Sequence, residues 1–282
     1  MKSSTISIAK GICIILMVAA HAGLPLWLIR FIYMFHMPFF FIISGFCLKE
    51  KYFNDSITFF KKRVKKLYFP YVKWSFVFLL LHNFLFKLHF YDKEYGYVNR
   101  VDFSYIPQHL YNINDYFTHA ISIFTRMEGH EQILGGYWFL RELFFWSIIG
   151  FIICKLIYNR HFIIKSSGIC LAVCLFVKIL NIHFPYIGLN WITMLAAFYY
   201  CLGHDMKYYN VKFWYSQKII FILIVVIAIT SYFLPEFEMG LQNLKSIIFY
   251  IIISIAGFFL VMWLSQYINS HNNKFKSFLI YR

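Results

Sequence analysis

The chain has 282 residues, 61% hydrophobic and only 14% charged, and its 27 Lys and Arg against 12 Asp and Glu give a formal net charge of +15. A soluble domain has too little interior to hide that much apolar surface, so a soluble globular fold is excluded. Nucleic-acid binding needs basic charge gathered on a soluble module; no such module is visible, and the excess reads as the positive-inside bias of a membrane protein.

Apolar stretches long enough to cross a hydrocarbon core of about 30 Å lie near residues 6 to 24, 31 to 48, 67 to 88, 137 to 157, 163 to 181, 187 to 203, 218 to 234 and 246 to 265, with only a weak dip at Asn181 to Pro185. The expected fold class is therefore an all-α polytopic transmembrane helix bundle of about eight spans, with the N-terminus cytoplasmic. No linker, repeat or low-complexity segment divides the chain, so residues 1–282 read as one integral-membrane domain with an outer loop near 89–136. With this orientation Lys49, Lys51, Lys61, Lys62, Arg63, Lys65, Lys66, Arg160, Lys165, Lys207, Lys212, Lys274, Lys276 and Arg282 fall inside. Most acidic residues, among them Asp92, Glu94, Asp102, Asp115, Glu128, Glu131, Glu236 and Glu238, fall outside.

The first span holds two titratable groups, Lys10 and His21. A secretory leader ending at AAHA is the competing reading of this segment, but cleavage would discard both residues, and a retained span is preferred. Eleven residues of helix offset Lys10 and His21 by about 20° and separate them by about 16 Å, so they share a face. Beyond the short turn containing Pro25, the second span descends through FIYMFHMPFFFIISGF, which brings His36 to the depth of His21. Each group alone also suits a bland role, a snorkelling lysine or a histidine bonded between helices. Three on adjacent helices favour a functional pathway, because ionisable groups are costly in a membrane. A neutral imidazole is the natural base for a hydroxyl proton. In the same span, Ser44 and Gly45 read as close-packing small residues rather than as a nucleophile.

The basic segment before the third span carries Arg63 and Lys66 three residues apart, on one face if helical. They suit either phosphate contacts or topology determinants. The outer loop is aromatic and ends in an amphipathic-looking ISIFTRM; an interfacial aromatic belt is preferred over a sugar-stacking surface. Arg141 and Glu142 near the outer end of the fourth span need partners there. Adjacent helical positions point about 100° apart, so the two are not expected to face one atom. The six cysteines (Cys13, Cys47, Cys154, Cys170, Cys174 and Cys201) show no zinc spacing and read as packing residues, and no metal site is expected.

Several of these segments together resemble a known family. Lys10 and His21 fit the Arg/Lys, ten residues, His signature of the acyltransferase-3 family of integral-membrane O-acyltransferases, and FHMPFFFIISGF is similar to its fucose 4-O-acetylase-like branch. FFKKRVKKLYFPY, YWFLRELF and FYYCLGH resemble later family elements in the same order. The resemblance implies transfer of an acyl group, usually acetyl from cytoplasmic acetyl-CoA, to a hydroxyl of a surface-polysaccharide or lipid-linked sugar. Acetyl-CoA would be the acyl donor, with no permanently bound cofactor. His21 would be the general base and His36 its assistant; Glu142 would orient a histidine and Arg141 would stabilise the oxyanion or hold the acceptor. Lys10 would lie along the donor's arm, and Arg63 and Lys66 on its phosphates. The implied location is a bacterial inner membrane. The rival class is a transporter or flippase whose polar path carries protons or ions. The family continues into a final helix or pair where this chain stops at NKFKSFLIYR, so a shortened, non-catalytic member is the third reading.

Overall fold

The computed structural model describes residues 3–91, 96–98, 105–158, 166–180, 182, 191–213, 215–233, 237–238, 243–244 and 246–271. Arg100, Arg160, Lys165, Lys274, Lys276 and Arg282, the acidic Asp92, Glu94, Asp102 and Glu236, Asn181 and Pro185, and the ending NKFKSFLIYR lie outside them. The chain forms two compact units, one of residues 1–47 with 199–282 and one of residues 48–198.

In chain order the helices begin with α1 (Ser3–His21), α2 (Leu26–Tyr33), α3 (His36–Phe46), α4 (Lys51–Asn54) and α5 (Ser56–Arg63). A π-turn at Val64–Tyr68 joins α5 to α6 (Phe69–Lys87). Next come the two-residue strands β1 (Tyr97–Val98) and β2 (Tyr105–Ile106), α7 (Ile113–Arg126), a 3₁₀ turn (Gln132–Tyr137) and α8 (Trp138–Tyr158). The chain continues through α9 (Ser166–Ile179), α10 (Trp191–Tyr208), α11 (Gln217–Phe233), β3 (Phe237–Glu238), β4 (Asn243–Leu244) and α12 (Ile247–His271). Both strand pairs are antiparallel, Tyr97 opposite Ile106 and Phe237 opposite Leu244.

Four helical stretches are long and apolar enough to cross a membrane: Ser4–His21, Leu26–Phe46, Ser56–Lys87 and Ile247–Ser270. The described residues thus form an all-helical integral membrane protein with minor strand ladders. Helices occupy the other four expected stretches too, but α9 and α11 are shorter apolar helices, and α8 carries Arg141, Glu142 and Lys155.

Two spans differ from the sequence expectation. The second, expected as one helix from 31 to 48, starts at Leu26 and breaks between α2 and α3. Pro38 is the cause: it has no N–H for the Met34 carbonyl, and its ring would clash there in a continuous helix. The third begins not at 67 but at Ser56, where Asp55 caps α5 by accepting the Thr58 N–H at 3.1 Å. The basic residues Lys61 to Lys66 therefore sit within the helical rod. Pro70 cannot donate to the Lys66 carbonyl, and just before it the Phe69 N–H reaches back five residues to Val64 O.

In the first unit α3 is the core. It is apolar all round and buried on nearly every face, against α1 and α12. Its crossing with α10 is set by two glycines. A Cβ on Gly45 would lie 1.7 Å from Tyr200 O, and one on Gly203 would lie 1.8 Å from Ile42 O, so the two backbones are in direct contact. Gly257 of α12 gives the same access to the Phe35 side chain. Phe213 then fills the space among Phe46, Phe258 and Phe259, with ring centroids 5.6–5.7 Å apart.

The second unit is organised along the rod of residues 56–87. On its lower part, Phe59 stacks on Phe151 of α8 at 4.1 Å and Lys155 Nζ donates to Ser56 Oγ at 2.8 Å. On its upper part, Tyr71, Val72 and Leu79 of α6 form a buried cluster with Tyr111, Ile123 and Met127.

Candidate active site

His21 is the last residue of α1 and is exposed. The chain leaves it through Gly23, whose φ of +91° a side-chain-bearing residue rarely adopts, and through Pro25, which caps α2. That tight reversal brings α2 back alongside α1. Tyr33, near the end of α2, lies 6.2 Å from His21 by ring centroids and stacks on His36 at 5.0 Å. The two histidines expected to meet across the Pro25 turn are thus the ends of a three-ring ladder with Tyr33 in the middle. Tyr33 was missed by the sequence reading. Its signal was an aromatic residue three positions before His36, on the same helical turn had the helix been continuous.

His36 is buried, and its Nδ1 lies 3.0 Å from Ile32 O. A carbonyl only accepts, so Nδ1 carries the hydrogen and the neutral ring keeps its lone pair on Nε2. Lys10 is half-buried about three turns earlier on α1. At about 1.5 Å per residue it stands about 16 Å along the axis from His21.

The remaining four candidates belong to the second unit. Arg63 is half-buried with its guanidinium 5.0 Å from the Phe59 ring, whereas Lys66 is exposed within the π-turn. The wider turn corrects the shared face expected of two α-helical positions three apart: it rotates Lys66 away from Arg63. Arg141 and Glu142 are both buried and pair with each other, Arg141 Nη1 donating to Glu142 Oε1 at 2.5 Å. The long arginine side chain curls back over its neighbour, which the angular separation of their Cβ atoms does not prevent. Arg141 Nε donates to Arg126 O at 3.1 Å, and Trp146 Nε1 donates to Glu142 Oε2 at 2.8 Å. Both Glu142 oxygens are thus engaged, by Arg141 and by Trp146, and among the described residues no histidine bonds to this carboxylate.

A His–carboxylate pair elsewhere in this unit was not foreseen. His82 Nδ1 lies 2.9 Å from Glu131 Oε2, which also accepts from Tyr91 OH at 2.5 Å. His82 is fully buried, its Nε2 lies 2.9 Å from His109 O, and its ring stacks on Tyr111 at 3.4 Å. Both imidazole nitrogens are used, so no lone pair remains for catalysis, and the pair is a clamp holding residues 109–131 to α6. Forty-nine residues separate the partners, which only tertiary folding closes. Among the described residues no three His, Cys, Asp or Glu side chains gather as metal ligands, and all six cysteines are free.

The acyltransferase domain family, acyltransferase-3, matches residues 4–281, nearly the whole chain. The chain belongs to the acyltransferase-3 family. It is a membrane acyltransferase in that general sense. No curated protein and no solved structure matches it. The family match runs through both units, so the His21–Tyr33–His36 ladder and the Arg141–Glu142 pair lie within one acyltransferase-3 sequence.

Proposed function

We propose that the protein transfers an acetyl group from cytoplasmic acetyl-CoA to a hydroxyl of a surface-polysaccharide or lipid-linked sugar, as a fucose 4-O-acetylase-like member of its family in a bacterial inner membrane. In this reading the chain crosses about eight times with its N-terminus inside. The observation that carries the reading is the exposed imidazole at the end of α1, backed by Tyr33 and the buried His36, in a chain of acyltransferase family.

His21 takes the proton of the sugar hydroxyl as its oxygen attacks the thioester carbonyl carbon. The tetrahedral intermediate then collapses, the C–S bond breaks, and the departing CoA sulfur takes that proton from the imidazolium. The products are the O-acetyl sugar and CoA thiol. His36, fixed as the Nδ1–H tautomer by Ile32 O, holds the Tyr33 ring against which His21 rests. Lys10 is assigned to the donor's arm, Arg63 and Lys66 to its phosphates on charge alone, and the Arg141–Glu142 pair to oxyanion or acceptor binding.

The test is purified protein in proteoliposomes with acetyl-labelled CoA and a sugar acceptor. Label transfer is expected from the unsubstituted chain and its loss in His21→Ala, by a factor of at least 10² as for removal of a general base. Undiminished transfer by inserted His21→Ala removes the proposed base. Acceptor translocation without label transfer replaces the enzyme reading by a transporter.

A further inference from the structure

Helix α7 lies in the segment expected to be an outer loop, and it is amphipathic in the wrong sense for water. Its outward face carries Ile113, Phe117, Ile121 and Phe124, between 49% and 78% exposed. Its inward face carries Asp115, His119 and the buried Ser122 and Ile123. A helix bathed in water turns its titratable residues out and its apolar stripe in. The outward hydroxyls are satisfied within the helix: Thr118 Oγ1 donates to Asn114 O and Asp115 O at 3.0 Å, and Thr125 Oγ1 to Ile121 O at 2.6 Å. Asn112 and Asp115 close the first turn in a capping box. The outward face carries no charge from Ile113 to Thr125; the exposed Arg126 that ends the helix donates to Ser122 Oγ at 2.8 Å and pairs with Glu128 Oε2 at 3.4 Å.

The placement of α7 is equally informative. Tyr111 is bonded to Asn83 near the C-terminal end of α6, its N–H donating to Oδ1 at 2.7 Å and its carbonyl accepting from Nδ2 at 2.9 Å. Phe124 meets Phe76 at 5.7 Å and its carbonyl accepts from Tyr68 OH at 2.7 Å, at the other end of α6. The helix therefore runs antiparallel along α6 for about 22 Å, the rise of the fifteen residues from Tyr68 to Asn83. At Met127 the backbone turns in the left-handed conformation, φ 51°. Gly129 then passes Tyr71 and Ser75, and Glu131 is back at His82, beside the level where the segment entered. Gln108 Nε2 donates to His130 O at 2.9 Å and ties the two limbs at the mouth.

We infer that residues 108–131 form a re-entrant hairpin, entering and leaving the membrane on the side of the α6 C-terminus, with the α7 stripe against lipid acyl chains. The stripe is continuous with the exposed apolar side chains of α6, among them Leu80 and Phe84, on a candidate membrane span. A depth of about 22 Å falls short of the hydrocarbon core of about 30 Å, which suits a segment that turns back. The irregular return limb is the part lipid would not tolerate, and Met127 and Glu131 on it are buried against α6. This inference does not depend on the acyl-transfer chemistry.

The experiment is nitroxide labelling of Ile113→Cys, Phe117→Cys and Ile121→Cys in proteoliposomes, comparing relaxation by oxygen, which concentrates in lipid, with relaxation by a water-soluble nickel chelate. Phe84→Cys serves as the lipid reference, Lys62→Cys as the aqueous one, and the unsubstituted chain gives the background of its own cysteines. Oxygen-dominated relaxation like that of Phe84→Cys is expected at all three, increasing from 113 to 121 with depth. Nickel-dominated relaxation like that of Lys62→Cys overturns the inference, as does an immobilised label that neither agent reaches, which would mean a second copy covers the stripe. As an independent readout, Phe117→Lys should lower thermal stability in bilayers relative to Phe117→Leu, whereas equal stability of the two contradicts a lipid-facing stripe.

Discussion

Glycines 45 and 203 hold α3 and α10 in backbone contact, and their substitution should be felt far more than that of a glycine in open space. A methyl at Gly203 would meet Ile42 O and the Phe46 backbone N at under 3 Å, so Gly203→Ala should cost about 1–3 kcal/mol or more as overpacking. Gly136→Ala, with nothing within 4 Å, should leave the melting temperature unchanged; denaturation of the two in the same detergent checks the contrast. Removing one partner of the clamp should be costlier. Glu131→Ala leaves the fully buried His82 without one hydrogen-bond partner and the Tyr91 hydroxyl without its acceptor, two unsatisfied groups at about 1–3 kcal/mol each. His130 gives the mouth of the hairpin a pH dependence. Burial pushes its imidazole down to about 4, and the Arg126 charge adds to the effect; around it stand His119, stacked at 4.1 Å, and Tyr97 at 4.8 Å. A base whose folded pKa is depressed stabilises the fold above its ordinary value of 6.5 and loses that stability as pH falls from there towards 4. Residues 105–113 and 127–133 should therefore open more easily at pH 5 than at pH 7, read as amide protection factors that fall once the slowing of intrinsic exchange at lower pH is divided out. Because burial also pushes the neighbouring His119 imidazole down to about 4, the variant that should lose this fall is the double substitution His119→Phe with His130→Phe.

At the level of elements, what periodicity and punctuation encode was legible in the sequence. The common face of Lys10 and His21, the reversal at Pro25 and the return of His36 towards His21 all follow from helical phase and a proline turn. The break between α2 and α3 was readable in principle from Pro38, but a run of apolar aromatics on both sides hid it. What could not be read was the direction in which a stripe faces. The spacing of Ile113, Phe117, Ile121 and Phe124 is visible in the sequence, yet the same spacing suits a helix packed inward on protein or outward on lipid, and only the contacts with Asn83, Phe76 and Tyr68 decide. The same holds for His82 and Glu131, where neither local sequence announces the other. The π-turn offers an element-scale test. Pro70→Ala restores the N–H donor for the Lys66 carbonyl and should shift residues 64–68 towards ordinary α-helix, which turns α6 out of phase with the hairpin; the readout is altered Cα chemical shifts in that turn together with altered shifts at His82 and Glu131.

For the whole molecule, the proposed orientation makes a prediction that does not depend on catalysis. A water-soluble, membrane-impermeant maleimide added to intact cells should leave Lys62→Cys unlabelled and react with it only after lysis, since the basic rod end is assigned to the cytoplasm. Labelling of Lys62→Cys in intact cells would invert the topology. Chain-wide family membership was legible because its elements are short, local and ordered. The partition into two compact units was not, because the first unit joins residues 1–47 to residues 199–282 through contacts such as Asn269 Nδ2 with Thr5 Oγ1 at 3.3 Å. The π-turn also has a meaning for how the second unit tolerates change. Residues 56–87 act as one camshaft whose two halves serve different followers, α8 on the lower lobe and the hairpin on the upper. The π-turn accommodates one residue more than an α-turn, so a one-residue deletion within Val64–Tyr68 lets the rod close as ordinary α-helix with both lobes still in phase. The same deletion in the regular helix between Tyr71 and Leu79 would turn the far part by about 100° and swing His82 away from Glu131 while Phe59 kept its place on Phe151. A deletion in the turn should therefore spare the hairpin that a deletion in α6 releases, making this turn the point where length variation is most neutral along the rod.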